Sequence, residues 1–550
     1  MIQTRVLWGS WCFVAATSLL ACGGGGGGGG DDDGGGGHPV PLPAPACTAA
    51  ATGSATVAAP TLKYTLKDRF EEAFLGAPSV ADLDGDGTRE IVIPRDDLLE
   101  VWHTAAGGGS SLVWKAQLPG RIWASPIVAD LVPGHPGLEV AVASRGEIHM
   151  YDSAGKEMPG FPFAWQDEMR GLAAGDIDGD GQLELVAVTT TPATETYPRD
   201  SVIAVYNQGS IVHGFPPNTT GSSGCDATDC FITGGYDQNI ALGDVDGDGQ
   251  VDVFAGQDNA YLALHAGTGG AFDAAPIFSK RSKFDGIRWM VDYRLAQQGF
   301  PDDGQEAVQL QAHFTNTAPT VADLDGDGTA ELIALGSLQN ASQDDREKGV
   351  GLFVAHHDGT RPADWIAPPT FPDYLGGLWD GDANLVGATN EVAVADIDPG
   401  HPGLELVFAG FDGKIHAVDA HGKSLWDYKL TAAADEWTSG VVISDLSGDG
   451  VPEIVFATYS PRGGDLVVLD AGGNQLHRIA LGGRGAMPVP TIADVDGDGT
   501  LDIVVSLKDA VDKQKSAVVY EVAGSATNCM AWPTARGNDR RDGFVPPAKP

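Results

Sequence analysis

Three aspartates within five residues, followed by a glycine and a further acidic residue, make an oxygen cage for a hard cation. In the first such stretch Asp82, Asp84, Asp86, Thr88 and Glu90 hold positions 1, 3, 5, 7 and 9, with Gly87 at position 6. Calcium takes roughly six to eight oxygens, and the EF-hand loop offers them from these same odd positions with glycine at 6 for the sharp turn. The arrangement recurs in Asp176, Asp178, Asp180, Gln182 and Glu184; in Asp244, Asp246, Asp248, Gln250 and Asp252; and in Asp323, Asp325, Asp327, Thr329 and Glu331. It recurs again in Asp494, Asp496, Asp498, Thr500 and Asp502, and with serine at position 3 in Asp445, Ser447, Asp449, Val451 and Glu453. A lone Asp-Gly stretch is ordinary turn chemistry. Six in-phase copies, each closed by Glu or Asp, point to about six structural calcium ions. Two further loops, Asp130–Glu139 and Asp396–Glu405, share a Pro-Gly-His-Pro-Gly core and run one residue longer. They are expected to replace the ion with rigid turn geometry, although Asp398 leaves the second as a further candidate.

The elements around these loops are strands. An EF-hand loop feeds a helix, but here the continuations are Glu90-Ile-Val-Ile, Glu184-Leu-Val-Ala-Val, Glu453-Ile-Val-Phe and Asp502-Ile-Val-Val. Short apolar runs rich in β-branched residues read as buried strands. The first aspartates fall at 82, 130, 176, 244, 323, 396, 445 and 494, a unit of just under 50 residues at its shortest. A repeat of that length holding about four strands is a propeller blade. The fold class is therefore all-β, a β-propeller of four-stranded blades. On these loops and strands the chain resembles the FG-GAP/VCBS repeat family, whose calcium-loop propellers include the integrin α-subunit head. Seven blades are common in that family, whereas the count of first aspartates here gives eight.

Both ends bear on ring closure. Leu62-Lys-Tyr-Thr-Leu66 precedes the first loop and is placed to complete the last blade beside Ala517–Val522, removing an exposed edge. Trp532-Pro-Thr-Ala-Arg-Gly-Asn-Asp-Arg-Arg-Asp-Gly543 is similar to the Trp-Pro closing segment of such propellers and reads as packing. The expected organisation is a signal peptide over 1–21, a Gly/Pro-rich flexible tether over 22–55, one propeller domain over 56–545 and a disordered tail over 546–550. Arg5, the apolar Val6–Leu20 and Leu19-Leu-Ala-Cys22 resemble a bacterial lipoprotein signal, which implies lipidation of Cys22; an ordinary secretory signal is the alternative. The expected address is the outer membrane, facing the surface or the periplasm, with secretion as the alternative and membrane contact through the lipid only. Cys225 with Cys230, and Cys47 with Cys529, would pair in an oxidising compartment. A formal charge of −42 argues against nucleic acid and anionic lipid as partners.

The calcium loops join the first and second strands of each blade, so the longer connections must share the opposite face. Loops carry function when a rigid scaffold positions them. The residues entering each inner strand on that face are the candidate ligand ring: Arg121, Trp123, Glu168, Arg170, Asp237, Asn239, Asn316, Asn390, Glu391, Asp435, Glu436, Trp437 and Arg484. Aromatic platforms among polar groups suit a glycan or a protein ligand. No nucleophile elbow, phosphate loop or clustered zinc ligands occur. His356-His357-Asp358 reads as turn chemistry. The expected function is a ligand-binding or adhesion module without catalysis. Glu168 with Asp237, or Asp435 with Glu436, would serve a polysaccharide-cleaving lyase or hydrolase, which the family resemblance keeps as an alternative; a purely structural envelope component is another.

Overall fold

The computed structural model describes residues 47–546 apart from Phe70, 191–198, 218–239, 257–260, Ala271, 273–285, 297–309, 315–316, 340–347, Tyr374, 376–389, Pro402, Ala434 and 510–514. Eight antiparallel sheets form eight blades of a propeller. Blade 1 runs Ser79–Ala81, Glu90–Arg95, Leu98–Thr104 and Ser110–Gln117 from the channel outward. The inner strands of blades 2 to 8 are Ile127–Ala129, Met169–Gly175, Ile240–Gly243, Thr320–Ala322, Asn390–Ala395, Val442–Ser444 and Thr491–Ala493.

The second strand of each blade lies between neighbouring blades and is buried on both faces, which explains its unbroken Val, Ile and Leu content. Outer strands such as Ser110–Gln117 alternate between exposed and covered residues instead. Apolar clusters fill the gaps between consecutive blades. The cluster that joins blade 8 to blade 1 packs Tyr64, Val504 and Val519 against Ile91 and Trp102. Thr61–Lys67 is the outer strand of blade 8 and pairs antiparallel with Lys515–Glu521, as the sequence predicts. Ring closure is thus made by the two ends of the chain. The expected Cys47–Cys529 disulfide is present, while Cys22, Cys225 and Cys230 lie outside the described residues.

Two expectations change. Residues from Cys47 to Gly53, assigned by sequence to the flexible tether, pack on the seventh acidic loop: the Ala50 amide donates to the Gly448 carbonyl at 2.8 Å, and the Ser54 amide to Ser447 at 3.0 Å. The Trp532–Gly543 segment does more than pack at a seam. It lines the inside of the ring and caps the inner strands, whose channel-side edges would otherwise expose unpaired amides. The amide two residues before the first Asp of a hairpin donates to this segment in blade after blade. Ile443 donates to the Trp532 carbonyl, Ile492 to Pro533, Val128 to Asp539, Ala174 to Arg540, Leu242 to Asp542 and Val321 to Gly543, all at 2.7–3.0 Å. Phe544–Val545 then runs parallel to Val321–Ala322.

Glu391 belongs to this assembly and not to the ligand ring in which sequence placed it. It is buried, and its Oε1 accepts from Trp532 Nε1 at 3.0 Å and from the Arg536 amide at 2.5 Å. A buried carboxylate needs such donors, and the tail brings them.

Candidate functional site

Each acidic hairpin is a ladder of short-range turns. The position-1 Asp accepts the amide of the glycine at position 6 in all six loops, for example Gly87 on Asp82 Oδ2 at 2.9 Å and Gly249 on Asp244 Oδ2 at 2.9 Å. The glycines at positions 4 and 6 have positive φ, 77° and 91° in the first loop, which only glycine adopts without strain. Side chains at position 7 turn away from the cage: Thr88 Oγ1 donates to Asp86 at 2.6 Å, and Gln182 Nε2 donates to Asp180 at 2.9 Å. Position 7 can therefore serve a cation through its carbonyl, as in an EF-hand.

The closing acid has a second role that its spacing does not reveal. In all eight blades, the two Pro-Gly-His-Pro-Gly loops included, one of its oxygens accepts the amide of position 2 at 2.7–3.2 Å. That bond clamps the hairpin and leaves the other oxygen facing the cage. Ligand atoms of Asp82, Asp84 and Glu90 lie within 4.8 Å of one another, as do those of Asp176, Asp178 and Glu184, of Asp244, Asp246 and Asp248, and of Asp323, Asp325 and Glu331. Asp176 Oδ1 is buried without a hydrogen-bond partner among the described residues. Burial beside like charges pushes the closing acids up: Glu184 to about 7, and Asp252 and Glu453 to about 8. Orphaned oxygens and crowded, partly buried carboxylates fit a divalent cation. The seventh loop is the buried one, with Asp445 Oδ2 also accepting from Asn528 Nδ2 at 2.7 Å.

Five hairpins bring a basic side chain to a loop carboxylate: His103 Nδ1 stands 3.5 Å from Glu90 Oε1 in the first and His356 reaches Glu331 in the fifth, and in three others the approach is closer. His135 Nδ1 stands 3.0 Å from Glu139 Oε1, and His401 Nδ1 2.6 Å from Asp398 Oδ2. In the eighth hairpin Lys63 Nζ reaches Asp496 and Asp498 at 2.8 Å each, so this loop does not fit a metal as the others do. His356, read from sequence as turn chemistry, sends Nδ1 to within 3.4 Å of Glu331, while Asp358 does bind the turn amide of Thr360.

The opposite face gathers part of the predicted ring. Trp123 meets Phe74 edge-on at 5.4 Å, with the Arg121 guanidinium 3.7 Å above Phe74 and that of Arg170 4.6 Å above Trp123. In the same cluster Trp437 stacks on Tyr459 at 5.5 Å, Arg484 lies 5.7 Å above Tyr459, and Phe74, Trp123 and Tyr459 are buried together with Met487. Carboxylates neutralise these cations: Glu168 holds Arg170 at 3.0 Å, Asp96 holds Arg121 at 3.1 Å, and Asp509 with Glu72 hold Arg484 at 2.5 and 2.6 Å. Asp435 pairs with Arg462 at 2.6 Å, and Glu436 with Arg478 at 3.1 Å. Asp237, Asn239 and Asn316 lie outside the described residues; Asn390 lies in the inner strand of blade 6. Phe74 and Lys508 were not legible here because they come from connections without a repeat signal, and Tyr459 because it ends the buried second strand of blade 7. Lys508 Nζ sits 3.6 Å over Phe74, and burial lowers its pKa to about 8.

Residues 445–505 match the model of the FG-GAP-like repeat. No curated protein matches the sequence. Among solved structures the chain is similar to the V. cholerae biofilm matrix protein Bap1, at 15% identity and a TM-score of 0.52, over 90% of this chain and 97% of that one. It is also similar to Saccharomyces cerevisiae Sqt1, at 8% identity and a TM-score of 0.49, over 84% of this chain and 99% of Sqt1. At these identities the likeness concerns the fold.

Proposed function

We propose that this eight-bladed propeller, which carries an FG-GAP-like repeat at residues 445–505, is a calcium-stabilised binding module for a glycan or protein at the bacterial cell envelope. The observation that carries the reading is the mouth opposite the acidic hairpins. Phe74, Trp123 and Tyr459 form one buried aromatic cluster with the half-buried Trp437 packed against it, and Arg121, Arg170 and Arg484 lie over these rings. Trp437 and the partly exposed arginines are what this cluster offers to a ligand, one ring for stacking and guanidiniums as directed donors. Binding without catalysis is favoured because Glu168, Asp435 and Glu436 are each paired to arginine, leaving no uncommitted acid among these three. Lipidation at Cys22 would tether the module.

Calcium is read as structural. Asp82, Asp84 and Glu90, with their counterparts in blades 3, 4 and 5, would hold it, and it would supply the charge that their carboxylates lack. Asp84→Ala is expected to lower the melting temperature in millimolar calcium and leave it nearly unchanged in chelator. At a calcium concentration about a hundredfold above Kd, one lost site corresponds to about 2.7 kcal/mol. An equal loss in both buffers would reject a structural ion there.

Binding is tested by presenting the full chain in calcium to arrays of purified polysaccharides and to bacterial cells. Arg121→Ala and Trp437→Ala are each expected to weaken the interaction about tenfold while the melt in calcium is preserved. Unchanged binding in both variants would remove the mouth as the site. Release of shortened oligosaccharides would replace the binding reading by the cleaving one.

A further inference from the structure

We infer that the eighth hairpin carries its own organic cation: the ammonium of Lys63 occupies the cage that Asp496, Asp498 and Asp502 form, and this hairpin takes no calcium. Lys63 Nζ lies 2.8 Å from Asp496 Oδ2, 2.8 Å from Asp498 Oδ2, 3.7 Å from Asp502 Oδ1 and 2.7 Å from Glu521 Oε2. Three of these contacts come from positions 3, 5 and 9 of the loop and the fourth from the adjoining strand, whereas the ligand clusters of hairpins 1, 3, 4 and 5 all include position 1. Tyr64 adds a hydroxyl that donates to the same Asp496 oxygen at 2.5 Å. The lysine side chain is 15% exposed, and Asp496 and Asp502 are buried. The three donors of this ammonium reach Asp496, Asp498 and Glu521, and Asp502 Oδ1, without a hydrogen bond of its own among the described residues, meets it as a compact point charge.

The strand that delivers Lys63 is built to do so. Its register against Lys515–Glu521 slips between Leu62 and Tyr64, so Lys63 is a bulge residue, and bulges re-aim side chains. The same slip occurs in the outer strands of blades 1, 6 and 7, where the bulged residues are Val113, Leu425 and Leu476. None of those can enter a cage as a cation. Blade 8 differs from these three because its outer strand comes from the N-terminal end of the chain, and it is the blade that closes the ring. A built-in cation there lets the closing sheet form without waiting for metal. Hairpins 1, 3, 4 and 5 have no such lysine among the cage contacts described.

The test is a calcium count on the full chain by native mass spectrometry, joined to melts in chelator. The inference rests on the calcium reading only for the other hairpins, and the chelator arm stands without it. Asp498→Asn is expected to leave the calcium count of the natural protein unchanged, and Lys63→Met to raise it by one. In chelator, Lys63→Met is expected to melt well below the natural protein, with Lys63→Arg recovering most of the loss. A count that falls by one in Asp498→Asn would overturn the inference, because the hairpin would then be a metal site. A Lys63→Met variant identical to the natural protein in both count and chelator melt would overturn it too. If no calcium binds anywhere, the calcium reading fails, and the chelator melts of Lys63→Met and Lys63→Arg decide the lysine alone.

Discussion

A chain ending at Asn528 is expected not to fold into a ring at all, even in calcium. The missing segment supplies carbonyl acceptors to the inner-strand amides of blades 2, 3, 4, 5, 7 and 8. It also supplies both donors that Glu391 Oε1 uses and one half of the Cys47–Cys529 link. Each buried group left without its partner costs about 1–3 kcal/mol, and the set exceeds the 5–15 kcal/mol or so by which a typical domain is stable. Two neighbouring arginines give a finer test. Arg541 is 1% exposed; its guanidinium donates to the carbonyls of Pro78, Pro126 and Ala535 at 2.9–3.0 Å and to the hydroxyls of Ser79 and Thr534. It also faces the half-buried carboxylate of Asp539 at 3.7 Å. Arg541→Ala strands all of these and is expected to cost about 3–5 kcal/mol. Arg540 points to solvent, with its side chain 49% exposed beside Asp542, and Arg540→Ala is expected to change stability by less than about 0.5 kcal/mol. Urea midpoints of the two variants in calcium decide the matter. Equal midpoints would mean that the tail decorates the channel and does not hold it.

That contrast also shows where sequence reasoning reaches and where it stops. The hairpins, their strands and the blade count follow from local patterning, because a period of apolar runs and aspartate loops is visible within each unit of chain. The closing strand was legible for the same reason: Leu62–Leu66 alternates like an outer strand and needs a partner. Arg-Gly-Asn-Asp-Arg-Arg-Asp reads as a solvated charged stretch, and nothing local distinguishes Arg540 from Arg541. Only the closed ring creates a channel lined by unpaired edge amides, and with it a demand for the tail's carbonyls. Glu391 looked like a mouth residue for the same reason, since its partners lie more than a hundred positions away. Lys63 stands more than 400 positions from the cage it enters. The closing acids were read as ligands alone because an acid at position 9 suits a metal. Their clamp on the position-2 amide becomes visible only when the metal-type and Pro-Gly-His-Pro-Gly hairpins are seen to share it.

Those closing acids give the second large effect, a stability that depends on pH more steeply without calcium than with it. Glu184 and Asp502 are pushed up to about 7, and Asp252, Glu405 and Glu453 to about 8, first by burial and also by neighbouring carboxylates, partly offset by the amide each one clamps and, at Asp502, by the Lys63 charge. A carboxyl raised from its ordinary range to about 7 costs on the order of 3 kcal/mol to ionise in place. The folded chain then binds more protons than the unfolded chain between about pH 4.5 and 8, so stability falls as pH rises through that window. His356, raised by its bond to Glu331, acts in the same direction. Carboxylates held low, such as Asp398 beside His401, ionise below the window and do not oppose the trend. In chelator the melting temperature is therefore expected to drop steadily from pH 5 to pH 8.5. In millimolar calcium the cation replaces the protons in the metal-type hairpins of Glu184 and Asp252, though not at Asp502 or Glu405, binds more tightly as they leave, and is expected to flatten that slope. The two curves should converge near pH 5 and separate most at the alkaline end, where calcium has the most charge to neutralise. Parallel curves, offset but equal in slope, would show that the ion does not meet these carboxylates.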